Sequence, residues 1–168
     1  MNKKIKIFDL TKQYKSLDNQ ISNNVKQILA SGNYILGNNV KNFEIAFAKF
    51  VGSKYAISCN SGTDALLLSL KSLNINKGDE IITTPFTYFA TVESIILAGA
   101  KPVFVDIDPY TFNIDYTNIE NAITNKTKAI IPVHIFGQIS NIVKIKKICK
   151  KYNLKLIEDC AQAFGAKE

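Results

Sequence analysis

The first part of the chain carries two amphipathic patterns. Between residues 12 and 30, apolar side chains recur every three or four positions, which predicts a helix with one apolar stripe that stops at Gly32. The members of this stripe are Tyr14, Leu17, Ile21, Val25 and Ile28. Asn39 is predicted to cap a second helix that ends at Gly52 and carries Val40, Phe43, Phe47 and Phe50. Because both helices precede every predicted strand, we expect residues 1–53 to form an N-terminal helical arm.

From residue 54 onward, short apolar runs alternate with helical patterns. The predicted strands are 55–59, 80–84, 102–106, 128–133 and 154–158. The predicted helices are 65–73, 90–98, 116–123 and one that Ser140 caps, with Ile142, Ile145, Ile148, Cys149 and Tyr152 inward. This alternation favours βαβ units, and therefore a three-layer α/β/α domain with a mostly parallel sheet over residues 54–168. The chain stops soon after the fifth predicted strand, so this domain is expected to be incomplete.

Composition narrows the class of protein. With 168 residues, 46% of them hydrophobic, the chain is long enough to bury a core. No apolar run reaches the roughly 20 residues that span a bilayer, and no apolar segment follows the basic residues at the N-terminus. The net charge of +7 suggests nucleic acid, but every basic residue is lysine, whereas specific recognition prefers arginine. We therefore expect a cytoplasmic protein with neither a nucleic-acid nor a membrane partner.

The chain has three cysteines, Cys59, Cys149 and Cys160. Their odd number, their wide spacing and the absence of a CxxC pair suggest neither a disulfide framework nor a metal site. The favoured interpretation is that all three are small buried residues. Cys160 could instead be a nucleophile, in which case its partner would be His134, the single histidine, if the fold brings the two together.

Ser61–Asp64 forms a polar turn between a predicted strand and a predicted helix. Backbone N–H groups and a hydroxyl at a helix N-terminus are suited to binding a phosphate. The segment matches neither a P-loop nor a dinucleotide fingerprint. Plain capping of the helix by Thr63 or Asp64 is equally compatible with the sequence, so both interpretations stay open.

Two further strand ends carry aromatic and titratable groups. In the segment that follows the strand 80–84, Phe86 and Phe89 are expected in the core, whereas Tyr88 is expected to present its ring to a pocket. His134 follows the strand 128–133. A structural histidine at the rim of a pocket is favoured there over an acid or base.

Glu158 and Asp159 follow the last predicted strand. Ligands of open α/β sheets collect at the carboxyl ends of the strands. Successive strand residues face opposite sides, so the two carboxylates should not share one pocket wall, and we expect Asp159 to face the ligand. The alternative is that both are solvated. The turn Ser61–Asp64, the ring of Tyr88 and the carboxylate of Asp159 together suit pyridoxal 5'-phosphate. Asp159 would pair with its ring nitrogen.

Six segments in this order and spacing give the chain a family resemblance: Tyr34–Gly37, Asn60–Leu66, Gly78–Ile82, Thr84–Tyr88, Gly99–Asp106 and Glu158–Ala163. The chain resembles the DegT/DnrJ/EryC1/StrS family, the pyridoxal-phosphate-dependent sugar aminotransferases of aminotransferase fold type I. The resemblance implies that Gly62 and Thr63 contact the cofactor phosphate and that Tyr88 stacks on the ring. It further implies that Asp159 pairs with the ring nitrogen and that Gln162 lies near the phenolic oxygen.

The resemblance also implies a reaction. Members of the family transfer an amino group, usually from glutamate, to a keto group of a nucleotide-linked sugar, for surface polysaccharides and related amino sugars. They are typically homodimers with the active site at the interface. The segments around Phe86 and Phe136 look most like members that act on UDP-linked 3-keto hexuronates, with 4-keto substrates close behind.

One expected residue is not in the sequence. In the family, the lysine that forms the Schiff base lies downstream of the Glu-Asp motif, beyond residue 168, and Lys167 is too close to Asp159 to replace it. We therefore expect no catalytic residue and no transamination within these 168 residues. The alternatives are the dehydratase branch of the family, in which a histidine replaces the lysine, a non-catalytic remnant that keeps the fold, and an unrelated flavodoxin-like binder.

Overall fold

The computed structural model describes residues 6–167, so the prediction about the N-terminal residues 1–5 lies outside the described residues. The chain divides between Ala56 and Ile57 into two compact units. None of the helices in the described range is long and apolar enough to cross a membrane.

The first unit contains two helices, α1 (Thr11–Ser31) and α2 (Asn38–Val51). Both end as predicted, at Gly32 and Gly52, whose φ angles of 68° and 73° are left-handed and therefore favour glycine. The predicted cap of α2 was wrong. The cap is Gly37, two residues before Asn39, because the Gly37 carbonyl already accepts the N–H groups of Val40 and Lys41. No residue of α1 is buried, so its apolar stripe is exposed within this unit.

The second unit alternates helices with strands. Its elements are α3 (Gly62–Ser72), β1 (Glu80–Thr83), α4 (Phe89–Leu97), β2 (Lys101–Phe104), β3 (Thr127–Ile130), α5 (Ile142–Tyr152) and β4 (Lys155–Leu156). Within residues 6–167 the four strands form one sheet in the order β2-β1-β3-β4, and every pair is parallel. The predicted α/β fold with a parallel sheet is confirmed.

The sheet separates two hydrophobic clusters, as a three-layer domain requires. Ile81 of β1 packs with Leu70 of α3 and Ile95 of α4. Its neighbour Ile82 faces the other way and packs with Ile145 of α5, because successive strand residues point to opposite faces. Helices α3 and α4 therefore cover one face, and α5 covers the other.

Two elements predicted after residue 54 did not form as expected. The segment 55–59 is not a strand, and its Ile57 is 87% exposed, so it lacks the half-buried surface on which β-formers pack. The predicted helix 116–123 is instead two short 3₁₀ turns, Tyr116–Asn118 and Glu120–Ala122. Asp115 starts the first turn by accepting the N–H of Thr117.

Helix α5 carries the predicted inward stripe with two corrections. Ile142, Ile145, Ile148 and Cys149 are buried. Tyr152 is 38% exposed, because its hydroxyl donates to Glu120 at the surface. The helix is capped by Asn141, whose side-chain oxygen accepts the N–H of Lys144 at 3.2 Å. Ser140 was the predicted cap, but its side chain turns towards the interior and lies beside His134.

Candidate functional site

Asp159 continues the parallel pairing beyond the end of β4. Its N–H donates to the Pro132 carbonyl, and its own carbonyl accepts the N–H of His134. The side chain is buried, with 7% of the residue exposed. A buried carboxylate needs hydrogen-bond donors or a counter-charge. The alternative that both strand-end acids are solvated is therefore wrong for Asp159.

The donor that holds this carboxylate comes from α4. Thr91 Oγ1 donates to Asp159 Oδ2 at 2.8 Å, and the Ala161 N–H donates to Oδ1 at 3.2 Å. Thr91 is 1% exposed. The sequence analysis did not identify Thr91. The available indication was a polar residue in a mostly apolar helix, three positions after Tyr88, but Ser94 shares this property and is also buried.

Glu158 lies on the opposite side of the strand end, as the alternation predicted. Its Oε2 is 3.0 Å from His134 Nε2, and its Oε1 is 3.9 Å from Lys146 Nζ. The hydrogen bond from His134 lowers the pKa of the Glu158 carboxyl, and burial opposes this effect. The side chain is 34% exposed, so Glu158 is a partly screened member of a structural pair.

His134 is held at both ring nitrogens. Nε2 faces Glu158. Nδ1 lies 3.2 Å from the Ser140 N and 3.3 Å from Ser140 Oγ, so it accepts the N–H when the ring is neutral and donates to the hydroxyl when the ring is charged. Burial lowers the pKa of His134, but hydrogen bonds to Cys160 and Glu158 outweigh it and raise the pKa to about 9. With 2% exposure the ring lies below the surface, not at the predicted rim. Because both ring nitrogens are hydrogen-bonded to protein groups, we interpret His134 as a structural residue.

The fold brings Cys160 to His134, which the sequence alone left undecided. The side-chain ligand atoms of His134, Glu158 and Cys160 lie within 4.8 Å of one another. Neither ring nitrogen offers a free lone pair to a metal. In the neutral ring Nδ1 accepts the Ser140 N–H while Nε2 carries the proton, and in the charged ring both nitrogens are protonated. We therefore interpret the cluster as a hydrogen-bonded group.

The expectation that all three cysteines are buried was wrong. Cys149 is buried on the inward face of α5, but Cys59 and Cys160 are exposed. Burial raises the pKa of the Cys149 thiol to about 11, which makes it a poor nucleophile at neutral pH. Cys59 is exposed because its segment does not enter the sheet.

The aromatic segment after β1 differs from the expectation at two positions. Tyr88 is 81% exposed at the start of α4, so its ring is accessible, and that the ring faces a pocket stays a prediction. Phe86 and Phe89 were expected in the core but are 41% and 64% exposed. The strand ends at Thr83, so the chain has left the sheet before either ring is placed. Phe86 packs instead with two exposed rings, Phe112 at 5.7 Å and Phe136 at 6.1 Å between centroids.

The turn before α3 is capped by a residue other than those predicted. Ser61 Oγ accepts the N–H of Asp64 at 3.1 Å and donates to its carboxylate at 2.9 Å. Capping by Thr63 or Asp64 was therefore the wrong choice of residue. A Cβ placed on Gly62 would meet no atom within 4 Å, so the space in front of this helix start is open. The phosphate interpretation stays a prediction.

The predicted site residues lie on neighbouring elements. Asp159 and Tyr88 are linked through α4, which packs against α3, where Gly62 and Thr63 form the first turn. Gln162 is exposed, and its carbonyl oxygen lies 3.4 Å from the position that a Cβ on Gly137 would occupy. The loop after Asp159 therefore runs beside the turn after β3.

Comparison with known proteins places this site in a family. The DegT/DnrJ/EryC1/StrS aminotransferase family profile matches residues 15–168. The chain is 48% identical over 162 residues to the UDP-2-acetamido-2-deoxy-3-oxo-D-glucuronate aminotransferase of Pseudomonas aeruginosa, covering 96% of this chain and 45% of that protein. It is also 48% identical over 163 residues to a pleiotropic regulatory protein of Geobacillus stearothermophilus, covering 97% of this chain and 44% of that protein.

Solved structures agree with this placement. S. venezuelae DesV in complex with a ketimine intermediate superposes with a TM-score of 0.93 at 34% identity, over 96% of this chain and 43% of that one. Bacillus subtilis NtdA with bound cofactor PMP gives a TM-score of 0.91 at 36% identity, over 98% and 39%. The chain spans less than half the length of each of these proteins, and its fold is that of the aminotransferase fold type I large domain, in part. The chain belongs to the DegT/DnrJ/EryC1/StrS aminotransferase family.

Proposed function

We propose that this chain is the N-terminal, cofactor-binding part of a pyridoxal-phosphate-dependent aminotransferase that acts on a keto group of a nucleotide-linked sugar. The observation that carries the proposal is the buried Asp159 carboxylate at the carboxyl end of a parallel sheet. Thr91 holds this carboxylate, and Thr91 lies one helical turn after Tyr88, whose ring is exposed. A fixed anion beside an accessible aromatic face suits a flat, cationic heteroaromatic ring.

Each predicted site residue has a part in this proposal. Asp159 binds the ring nitrogen and keeps it protonated, while Tyr88 stacks on the ring. Gly62 and Thr63 offer the start of α3 to the phosphate, where the helix dipole favours negative charge. Gln162 contacts the ring near its phenolic oxygen. When bound, the cofactor supplies an electron sink for a carbanion.

The substrate class rests on the relatives. Those that resemble the chain include a UDP-2-acetamido-2-deoxy-3-oxo-D-glucuronate aminotransferase at 48% identity, a dTDP-sugar transaminase at 45% and a GDP-perosamine synthase at 47%. A 3-oxo-glucose-6-phosphate:glutamate aminotransferase at 39% supports glutamate as the amino donor. Among these we favour a UDP-linked 3-keto hexuronate.

The dehydratase branch is less well supported. A GDP-4-keto-6-deoxymannose-3-dehydratase superposes with a TM-score of 0.77, against 0.93 and 0.91 for the two structures above. The named sugar-processing relatives quoted above are aminotransferases or a perosamine synthase.

Two further parts of the proposal concern groups outside this chain. The Schiff-base lysine is supplied by sequence after residue 168, so the chain alone should not catalyse transamination. A homodimer would give the exposed apolar stripe of α1, which includes Leu17, Ile21 and Val25, a surface to pack against.

Cofactor binding is the direct test. Equilibrium dialysis should detect binding of pyridoxal 5'-phosphate to the chain, and Asp159→Asn should weaken it by about tenfold or more, the scale of a lost charge-assisted hydrogen bond. Asp106→Asn is the matched control, because Asp106 also follows a parallel strand but is exposed. The proposal is wrong if the unsubstituted chain does not bind the cofactor, or if Asp159→Asn binds it as tightly as Asp106→Asn does.

A further inference from the structure

Two threonine hydroxyls form a chain that ends on the Asp159 carboxylate. Thr91 Oγ1 lies 2.8 Å from Asp159 Oδ2, and Thr87 Oγ1 lies 2.9 Å from Thr91 Oγ1. Thr91 is buried and Thr87 is half-buried. Both residues belong to the first turns around the start of α4, whereas Asp159 lies 68 residues after Thr91 in sequence.

The direction of these hydrogen bonds follows from the number of protons. An ionised carboxylate only accepts, and a threonine hydroxyl has a single proton to donate. Thr91 gives its proton to Asp159, so it must accept from Thr87. Both hydroxyl dipoles therefore point at the carboxylate, and each strengthens the next.

Thr91 also fixes the position of Tyr88. The Thr91 N–H donates to the Tyr88 carbonyl at 3.2 Å, and Tyr88 occupies the N-cap position of α4. One residue thus binds the carboxylate through its side chain and the backbone of the exposed tyrosine through its N–H group. The distance between the carboxylate and the start of α4 is set by this single turn of helix.

We infer that Thr91 is a positioning residue that aims the Asp159 carboxylate at the ring nitrogen of a cofactor stacked on Tyr88, with Thr87 as its support. The inference rests on the proposed function. Without the Thr91 hydroxyl, the carboxylate keeps its charge and the Ala161 N–H but loses the donor on Oδ2, so its orientation is less well fixed and the contact with the ring nitrogen weakens.

The test compares three substitutions at buried or half-buried threonines. Thr91→Val removes the hydroxyl at nearly constant shape, and Thr91→Ser retains it. Thr83→Val is the matched control, because Thr83 is fully buried and donates to the Ile131 carbonyl at 2.8 Å, away from Asp159. Thermal unfolding of each variant reports the purely structural cost of losing a buried hydroxyl.

The ligand is pyridoxal 5'-phosphate, compared with its analogue in which CH replaces the ring nitrogen. Thr91→Val should bind the cofactor about tenfold more weakly than the unsubstituted chain does, and Thr91→Ser should recover most of the loss. With the CH analogue, the effect of Thr91→Val should disappear, because no ring nitrogen remains to meet the carboxylate. Thr83→Val should bind both ligands normally.

The outcomes separate the inference from the proposed function. If Asp159→Asn weakens cofactor binding but Thr91→Val does not, the inference fails and the proposed function stands. An equal loss of affinity for both ligands in Thr91→Val would also overturn the inference, since it would indicate a general disturbance of the binding site. If the unsubstituted chain does not bind, both fail. Should Thr91→Val not fold, Thr87→Val takes its place, with an expected loss of about threefold for the cofactor and none for the analogue.

Discussion

The hydrogen bonds that Cys160 and Glu158 make to His134 should make the stability of the chain depend on pH. The pKa of His134 is raised from 6.5 to about 9, because the hydrogen bonds to Cys160 and Glu158 outweigh the opposing effect of burial. The folded state therefore binds this proton more tightly than the unfolded chain does. The resulting stabilisation is fully present below pH 6.5 and is lost as the pH rises through about 9.

The size of this effect follows from the pKa difference and the exposure of the partner. A shift from 6.5 to about 9 corresponds at most to about 3 kcal/mol of unfolding free energy. His134 is buried, but the Glu158 side chain is 34% exposed, so solvent screens part of the interaction. We therefore expect on the order of 2 kcal/mol to be lost between pH 6.5 and 9.

Two measurements on the same protein check this expectation. His134 is the single histidine, so one Cε1–H resonance reports its titration directly by NMR. Urea unfolding at a series of pH values gives the free energy of unfolding, and Glu158→Gln should flatten its decline between pH 6.5 and 9. Glu120→Gln is the control, because Glu120 pairs with Lys151 at the surface and does not contact His134. A His134 resonance that titrates at or below pH 6.5 in the folded protein would refute the reasoning.

Two smaller effects follow from corrections to the sequence analysis. Asn141→Ala should lower the free energy of unfolding by about 1 kcal/mol, because Asn141 caps α5. Asn39→Ala should change it little, because Asn39 lies inside α2. Urea unfolding of the two variants measures the difference. Cys149 should react with an alkylating reagent far more slowly than Cys59 at pH 8, because burial raises the pKa of the Cys149 thiol to about 11. Peptide mass spectrometry measures both rates, and equal rates would contradict the burial of Cys149.

The sequence was most informative where the signal is local. Short apolar runs correctly predicted the four strands that form the sheet, and apolar patterns with a period of three to four residues predicted the helices α1 to α5. Such patterns record which face of an element is buried, and that decides the fold class. The segment 55–59 shows the limit, because a strand also needs a neighbour, and β-propensity does not supply one.

The candidate site was predicted only in part, since its contacts are not local. Asp159 was identified from its place after a strand, but the donor that holds it comes from 68 residues earlier in the chain. The same applies to His134 and Glu158, which are 24 residues apart. Phe86 was predicted in the core but is 41% exposed, because it follows the end of a strand and no longer faces the core.

The pleat of β4 explains why two adjacent acids can have separate roles. Asp159 points to the α4 side of the sheet, where Thr91 holds it, and Glu158 points to the α5 side, where it pairs with His134. The two carboxylates have no hydrogen-bond partner in common among the described residues. Because the two side chains point to opposite faces of the sheet and bind different partners, we expect Glu158→Gln to act on stability and Asp159→Asn to act on cofactor binding. If each substitution changed both quantities equally, the two sides of this strand end would have to be treated as one coupled site.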